Sequence, residues 1–477
     1  MLKQKFIIFL LLLSSIYFSE FIFYSSKNFE KNFENKFSFN IMYSFSNWSN
    51  NFVVFHGDGN GYPTNPAENV FYLFDNVKPF IEVSLFYNFQ NLVLYTNIPF
   101  QKEIISKVKD PSTNFFLVDG KPTFDMNGPE NFLLGYISDN VFLGIGRFPL
   151  HWGNSKYPIS ISDTTFQDNI TFSTKNIFFK YTYHLISSYP LLSSYEQEIQ
   201  RNYFEKHTPS TNFFEPVKTI AAHRFDFFID NFRIGIGEIN VVGGKFPDII
   251  DINPLMFFHN TYGEGFSNVL SSIDFNVKVS NISIYGEFCL DDINGPTEVG
   301  SNYKPDAYGY NFGMSIGYKP FNVWIEYDFT SEWMYITNYL PYLRVNVRHF
   351  YIDNNSFPSR SLMDYPLGFK YGPDATMLSL GFSFSKNDFK ISTEYNFLVK
   401  GMVIDDSSGK IRWKWFWDSW SGNVNPTPES SVINTYDQVY NIFSLEIGYK
   451  FLSLKSLFVN KNYFINKNYF ISLQVNF

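Results

Sequence analysis

Apolar and polar residues alternate with a period of two along most of this 477-residue chain. Phe37, Phe39, Ile41, Tyr43 and Phe45 share one side of an extended segment, with Ser38, Asn40, Met42 and Ser44 between them. The pattern returns in 308–318, 321–329 and 443–451, and shorter matches lie near 80–88, 177–184, 223–229, 232–237, 272–279, 282–289, 377–384, 388–397 and 468–477. Successive side chains of a strand point to opposite faces, so each run predicts a strand with one greasy and one wet face. Several runs reach the roughly 9 to 11 residues that a tilted membrane strand needs, with aromatic residues near their ends. Lipid offers the backbone no hydrogen-bond partner, so such strands must close on themselves.

The connections fit the same picture. Tight links at Ser138-Asp139-Asn140, Asp230-Asn231, Ser280-Asn281, Lys319-Pro320 and Ser385-Lys386-Asn387-Asp388 alternate with long stretches near 185–221, 240–271, 330–375 and 398–440. The expectation is an all-β transmembrane antiparallel barrel over 37–477, with about 16–18 strands, short periplasmic turns and long extracellular loops. Near the end, Lys461-Asn462-Tyr463-Phe464 is echoed by Lys467-Asn468-Tyr469-Phe470, which reads either as an extra strand or as a loop. Tyr469, Ile471, Leu473, Val475 and Phe477 then share one face. This ending resembles the C-terminal signal of outer-membrane barrels and implies the barrel-assembly machinery as a partner during biogenesis.

Ahead of the first strand, Lys3 and Lys5 precede an apolar run at 6–13, followed by Ser14, Ser15 and Ser19. Residues 1–19 read as a signal peptide and 20–36 as a periplasmic linker or short helix, which places the mature chain in the bacterial outer membrane with membrane lipid as its surroundings.

Composition sharpens this in two ways. Aromatic residues make up 21% of the chain while alanine stands at only five positions, which argues against helical bundles and doubly wound α/β folds. A net charge of −8 with no Lys/Arg stripe sets nucleic acid aside, and the single cysteine, Cys289, excludes an intrachain disulfide framework.

On the wet faces, acidic residues such as Glu82, Asp226, Glu326 and Glu394 mix with Lys180, Arg233, Lys278, Lys390 and Lys450. Such a mixture braces a lumen by cross-strand pairing or lines a path for polar solutes. Seven histidines are scattered without a His-x-x-x-His pair, and no nucleophile elbow or zinc-protease helix occurs. Asp291 and Asp292 read as a solvated loop rather than a calcium site. The sequence therefore predicts no enzyme, no cofactor and no metal site. The run Arg412-Trp413-Lys414-Trp415-Phe416-Trp417 stands apart. Its tryptophans are read either as a girdle at the membrane interface or as a stacking platform for sugar rings, with Arg412 and Lys414 near acidic saccharides.

The central third carries a resemblance. Gly146-Arg147-Phe148-Pro149-Leu150-His151-Trp152-Gly153, then Ala222-His223-Arg224-Phe225-Asp226, then Ile252-Asn253-Pro254-Leu255-Met256-Phe257-Phe258-His259-Asn260, then Ser267-Asn268 and Asp274, and finally Tyr285-Gly286-Glu287-Phe288 follow one another as in the capsule assembly Wzi family. The likeness covers roughly residues 140–295. It implies an eighteen-stranded outer-membrane barrel that binds exported capsular polysaccharide at the cell surface as a lectin. Members of the best-known type carry a periplasmic helical bundle before the barrel, and this chain departs from them by passing quickly into strands. Arg147, Trp152, His223, Arg224 and Glu287 are the matched positions, read as ligand-binding or structural. The alternative function is a porin-like diffusion channel for small solutes.

Overall fold

The computed structural model describes residues 35–48, 77–102, 131–164, 166–187, 218–243, 246–256, 267–294, 306–335, 344–352, 358–404, 411–414, 436–461 and 467–476, with short pieces between 112 and 129. The signal segment 1–19, nearly all of 20–36, Trp415, Trp417 and Phe477 lie outside the described residues, as does the side chain of Arg412.

Eighteen strands form a closed antiparallel ring. In chain order they are β1 (Lys36–Trp48), β2 (Ile81–Phe89), β3 (Leu92–Phe100), β4 (Asn131–Ile137), β5 (Val141–Pro149), β6 (Phe166–Lys175), β7 (Phe179–Ser187), β8 (Lys218–Ile229) and β9 (Phe232–Gly243). The second half comprises β10 (Ser267–Val279), β11 (Ile282–Asp292), β12 (Ala307–Tyr318), β13 (Phe321–Thr330), β14 (Ala375–Lys386), β15 (Phe389–Ile404), β16 (Tyr436–Tyr449), β17 (Leu452–Lys461) and β18 (Lys467–Asn476). Each strand pairs with its sequence neighbours, and β1 closes the ring by pairing with both β2 and β18. The second copy of the terminal echo opens the last strand. A three-residue strand, Ile411–Trp413, joins the sheet only at its rim through β15. The hairpin of Arg344–Ile352 and Pro358–Pro366 pairs only with itself.

The tight links of the sequence all fall at one end of the ring, where Asp230, Ser280 and Asn387 take left-handed backbone conformations with φ of 50°, 54° and 53°. Asp and Asn tolerate that region because their short side chains bond locally. Lys450 sits in such a turn as well (φ 54°), between β16 and β17, so it does not line the lumen as the alternation had predicted. An even number of strands puts the first and last strand ends at this same turn end.

The outer wall exposes Leu143, Ile145, Phe312, Val323 and Leu380, as a lipid-facing surface requires. The inner wall changes character along each strand. In β15, Lys390 and Ser392 are exposed near the turn end, Glu394 is half-buried, and Asn396, Leu398, Lys400 and Met402 are buried towards the loop end. The same gradient runs from exposed Asn322 to buried Asp328 and Thr330 in β13. The barrel is therefore packed solid at its loop end and open at its turn end.

Candidate functional site

What fills the loop end is the connection between β5 and β6. At Gly153 the backbone takes φ of +82°, a conformation that glycine adopts without steric cost, and the chain turns into the barrel. The residues that follow, Lys156-Tyr157-Pro158-Ile159-Ser160-Ile161-Ser162, cross to the far wall. Their backbone N–H groups would be stranded from water there, and buried polar groups need partners. Two inward carboxylates supply them. Glu287 of β11 accepts hydrogen bonds from the Ile159 N–H at 2.7 Å, the Ser160 N–H at 3.1 Å and the Ser160 hydroxyl. Glu326 of β13 accepts from the Lys156 and Tyr157 N–H groups at 2.7 and 2.8 Å.

Further bonds fix the rest of this stopper. The Tyr157 hydroxyl donates to Glu394 of β15. Burial, then the facing Glu394, push that phenol well above its usual pKa, so it remains a donor. Tyr335 donates its hydroxyl to the Ile159 carbonyl, and the Ser162 N–H donates to the Leu367 carbonyl at 2.6 Å. Around them Ile159, Ile161, Tyr335, Leu367, Phe369, Met377, Leu398 and Trp413 form one buried apolar cluster. The seat is cut to shape by glycines on the inner wall. A Cβ at Gly309 would meet Ile159 Cγ2 at 2.8 Å, and one at Gly237 would meet the Trp152 ring at 2.5 Å.

On β8 to β10, beside β11, the stopper rests on a ring of four charges. Arg224 contacts Asp226 at 2.8 Å and Asp274 at 2.6 Å, while Arg233 contacts the same two carboxylates at 3.1 and 2.5 Å. The Arg224 guanidinium lies 5.6 Å from the Trp152 ring, a cation–π distance. All four charges cancel, and deleting one partner of such a buried set typically costs about 3–5 kcal/mol. The arrangement braces the wall.

The matched sequence positions thus separate by face. Trp152, Arg224 and Glu287 meet at the stopper, inside the barrel. Arg147 points outward near the loop end, bonded to Asp168 through Nε at 2.7 Å and Nη2 at 2.9 Å and stacked on Phe166. His223 also faces outward, fully buried between Tyr183 and Glu238. On the same outer wall lies the segment 246–256, whose Ile252 and Pro254 carbonyls accept the Tyr183 and Tyr181 hydroxyls. The described part of the long 240–271 stretch accordingly straps the outer wall, with Phe246, Ile249 and Leu255 exposed.

Trp413 and Lys414 are placed where neither sequence reading put them. Trp413 is fully buried, its Nε1–H donating to the Tyr440 hydroxyl at 3.0 Å, and so presents no face to lipid or sugar. Lys414, also buried, reaches Glu332 at 2.7 Å over the Trp333 ring. Its carbonyl, with those of Pro373 and Asp374, accepts from Lys400 Nζ. This segment locks the loop end together. Asp291 likewise serves structure, accepting from the Tyr335 N–H and from Asn268.

No family model and no curated protein sequence matches the chain. Among solved structures, Wzi of Escherichia coli, an outer membrane protein involved in group 1 capsule assembly and a carbohydrate-binding β-barrel, is similar at 14% identity over 92% of this chain and 84% of that one, with a TM-score of 0.48. OccK3 and OccK10 of Pseudomonas aeruginosa are similar at 8% and 6% identity over 93% of this chain and 95% and 98% of theirs, with TM-scores of 0.44 and 0.43. A closed eighteen-stranded ring with an apolar outer wall leaves one location.

This chain is a bacterial outer-membrane β-barrel.

In that membrane the short turns of the barrel face the periplasm and the long loops face outward. The stopper therefore fills the extracellular half of the lumen, and the open half is a cup facing the periplasm. Sequence reasoning missed the stopper because 150–165 is short beside the long loops. Its one signal was alternation of Tyr157, Ile159 and Ile161 in a segment with no room to span.

Proposed function

We propose that this protein is a surface polysaccharide-binding barrel that works through its extracellular loops and transmits no solute. The observation that carries the reading is the stopper. Four N–H groups of one loop are bound by carboxylates of β11 and β13, and the loop is sealed by a continuous apolar cluster. A lumen closed by that many buried bonds does not conduct at rest, which leaves the outward surface as the working part. The resemblance of 140–295 to the capsule assembly family supports an exported acidic or neutral glycan as the ligand, held by binding rather than by catalysis.

The diffusion-channel reading draws on the periplasmic cup, where exposed Lys278 and Lys390 face water. It requires the stopper to leave its seat. Planar-bilayer recording with the purified barrel, together with retention of capsular polysaccharide on immobilised barrel, separates the two. Silence with glycan retention is expected. Stable ohmic steps at most insertions, without retention, would overturn the proposal.

A further inference from the structure

The segment 246–256 lies against a part of the barrel that elsewhere faces lipid. Tyr181 and Tyr183 point outward from β7, and their hydroxyls donate to the Pro254 and Ile252 carbonyls, the latter at 2.7 Å. Tyr181 stands two residues from Phe179, where β7 opens at the turn end. At about 3.3 Å per residue and a tilt near 40°, those two residues lift it only about 5 Å above the start of the strand. Tyr181 is in register with Phe225 of β8, which pairs in turn with Ile236 of β9. Ile236 is exposed on the outer wall, as are Phe227 and Ile229 further towards the turns. A piece of an extracellular connection thus reaches down the flank of the barrel to the height of its apolar side chains.

Lipid normally excludes irregular backbone, because the N–H and C=O groups find no partner there. This segment supplies the partners itself. The Asp248 N–H donates to the Asp251 carboxylate at 2.8 Å, and the Ile250 and Asp251 N–H groups donate to Asp248 Oδ1 at 2.8 and 3.1 Å. The Leu255 N–H donates to Asn253 Oδ1 at 3.0 Å, and those of Ile252, Asn253 and Met256 donate to carbonyls of the same segment. Pro247 and Pro254 have no N–H to satisfy. Only the Ile249 N–H has no partner among the described residues.

The side chains complete the pattern. Asp251 is fully buried, whereas Phe246, Ile249, Ile250 and Leu255 are exposed, Ile249 to 81% and Leu255 to 72%. Large apolar residues exposed together in one short segment mark a contact surface. Asp248 is exposed too, but it commits Oδ1 to two N–H groups and precedes Ile249 and Leu255 in a chain that arrives from the loop end, the side of the lipid headgroups.

We infer that residues 246–256 lie in the outer leaflet of the membrane, with Phe246, Ile249, Ile250 and Leu255 against lipid acyl chains. Height and chemistry together choose this occupant. Acyl chains surround the wall beside Ile236 and Phe227, so a strap pinned to that wall meets the same solvent on its far side. Its internal hydrogen bonds are what that solvent demands. The connection between β9 and β10 is therefore in part a membrane anchor, and 246–256 are withdrawn from the extracellular surface.

The test places nitroxide labels on single introduced cysteines in the full-length barrel, reconstituted in dilauroylphosphatidylcholine vesicles. Cys289 is buried and should take no label in the wild type. Ile249→Cys and Leu255→Cys report on the strap, Leu143→Cys on the bare outer wall and Asn322→Cys on the periplasmic cup. Collisions with oxygen, which concentrates among acyl chains, are compared with collisions with a water-soluble nickel chelate. Both strap labels are expected to match Leu143→Cys, with high oxygen and low nickel access. Nickel access equal to that at Asn322→Cys would overturn the inference. So would exclusion of both reagents with spin–spin broadening that disappears on dilution with unlabelled barrel, the signature of a second copy on this face. Heat-modifiable gel mobility checks folding, and should one strap variant not fold, the other decides.

Discussion

Removing the Glu287 carboxylate should unseat the stopper. In the native barrel this group accepts three hydrogen bonds from Ile159 and Ser160 and is itself buried. Hydrogen bonds to a charged acceptor contribute about 1.5–3 kcal/mol each, and the donors left behind in Glu287→Ala regain water only if the loop swings out. A loss of about 4 kcal/mol is a conservative sum, and at 1.4 kcal/mol per decade it moves the balance between seated and displaced stopper by roughly a thousandfold. Glu287→Gln keeps one acceptor oxygen and turns the other into a donor facing donors, so it should fall between. Single-channel recording across a planar bilayer reads the displaced state as openings. Wild type should be silent, Glu287→Ala should open frequently, and Glu287→Gln should open at intermediate frequency. If Glu287→Ala is as silent as wild type, while its heat-modifiable gel mobility shows a folded barrel, the Glu287 hydrogen bonds do not hold the stopper in its seat.

Three other outcomes follow from the same packing. Gly237→Val should force Trp152 from its place, since even a Cβ there would sit 2.5 Å from the ring; overpacking of this kind costs about 1–3 kcal/mol, to be read as a lower unfolding temperature. Lys400→Met leaves the carbonyls of Pro373, Asp374 and Lys414 without their shared donor, so trypsin should cut the purified variant at Lys414 faster than wild type, with circular dichroism unchanged. For Asp163, burial pushes the carboxyl up but the His151 hydrogen bond and charge, at 3.3 Å, outweigh it and hold the group below its ordinary value. A depressed folded pKa means a contribution present above the ordinary carboxylate pKa and lost as pH falls through the folded value. Thermal unfolding between pH 6 and pH 3 should show this small acid-labile part in wild type and not in Asp163→Asn.

The barrel was legible because its rule is local. A strand between lipid and water must alternate, so Phe321, Val323, Ile325 and Tyr327 announce their face without help from any other strand, and the ends of Asp230-Asn231 and Ser280-Asn281 announce the turns. The stopper was not legible because its rule is non-local. Glu287, Glu326 and Glu394 read as wet-face charges, and nothing along their own strands says that their partners are the N–H and hydroxyl groups of a loop well over a hundred residues earlier. Of segment 412–417, read as an interface girdle or a sugar platform, only the start is described: a three-residue strand on the rim leads into it, and Trp413 packs inward on Tyr371 and Tyr440, a contact that no local pattern announces. His223 and Arg224, adjacent in sequence, share a matched motif and sit on opposite sides of the wall, which a period of two dictates once the wall is known.

If the lumen is closed as proposed, the gradient along the inner wall makes the barrel a vessel with one mouth, and water and ions reaching Lys278 and Lys390 enter and leave on the periplasmic side alone. A membrane-impermeant amine reagent applied to intact cells would therefore leave both lysines unlabelled, whereas the same reagent admitted to the periplasm would modify them. Sidedness, in most barrels a matter of which loops are long, is here also a property of the interior.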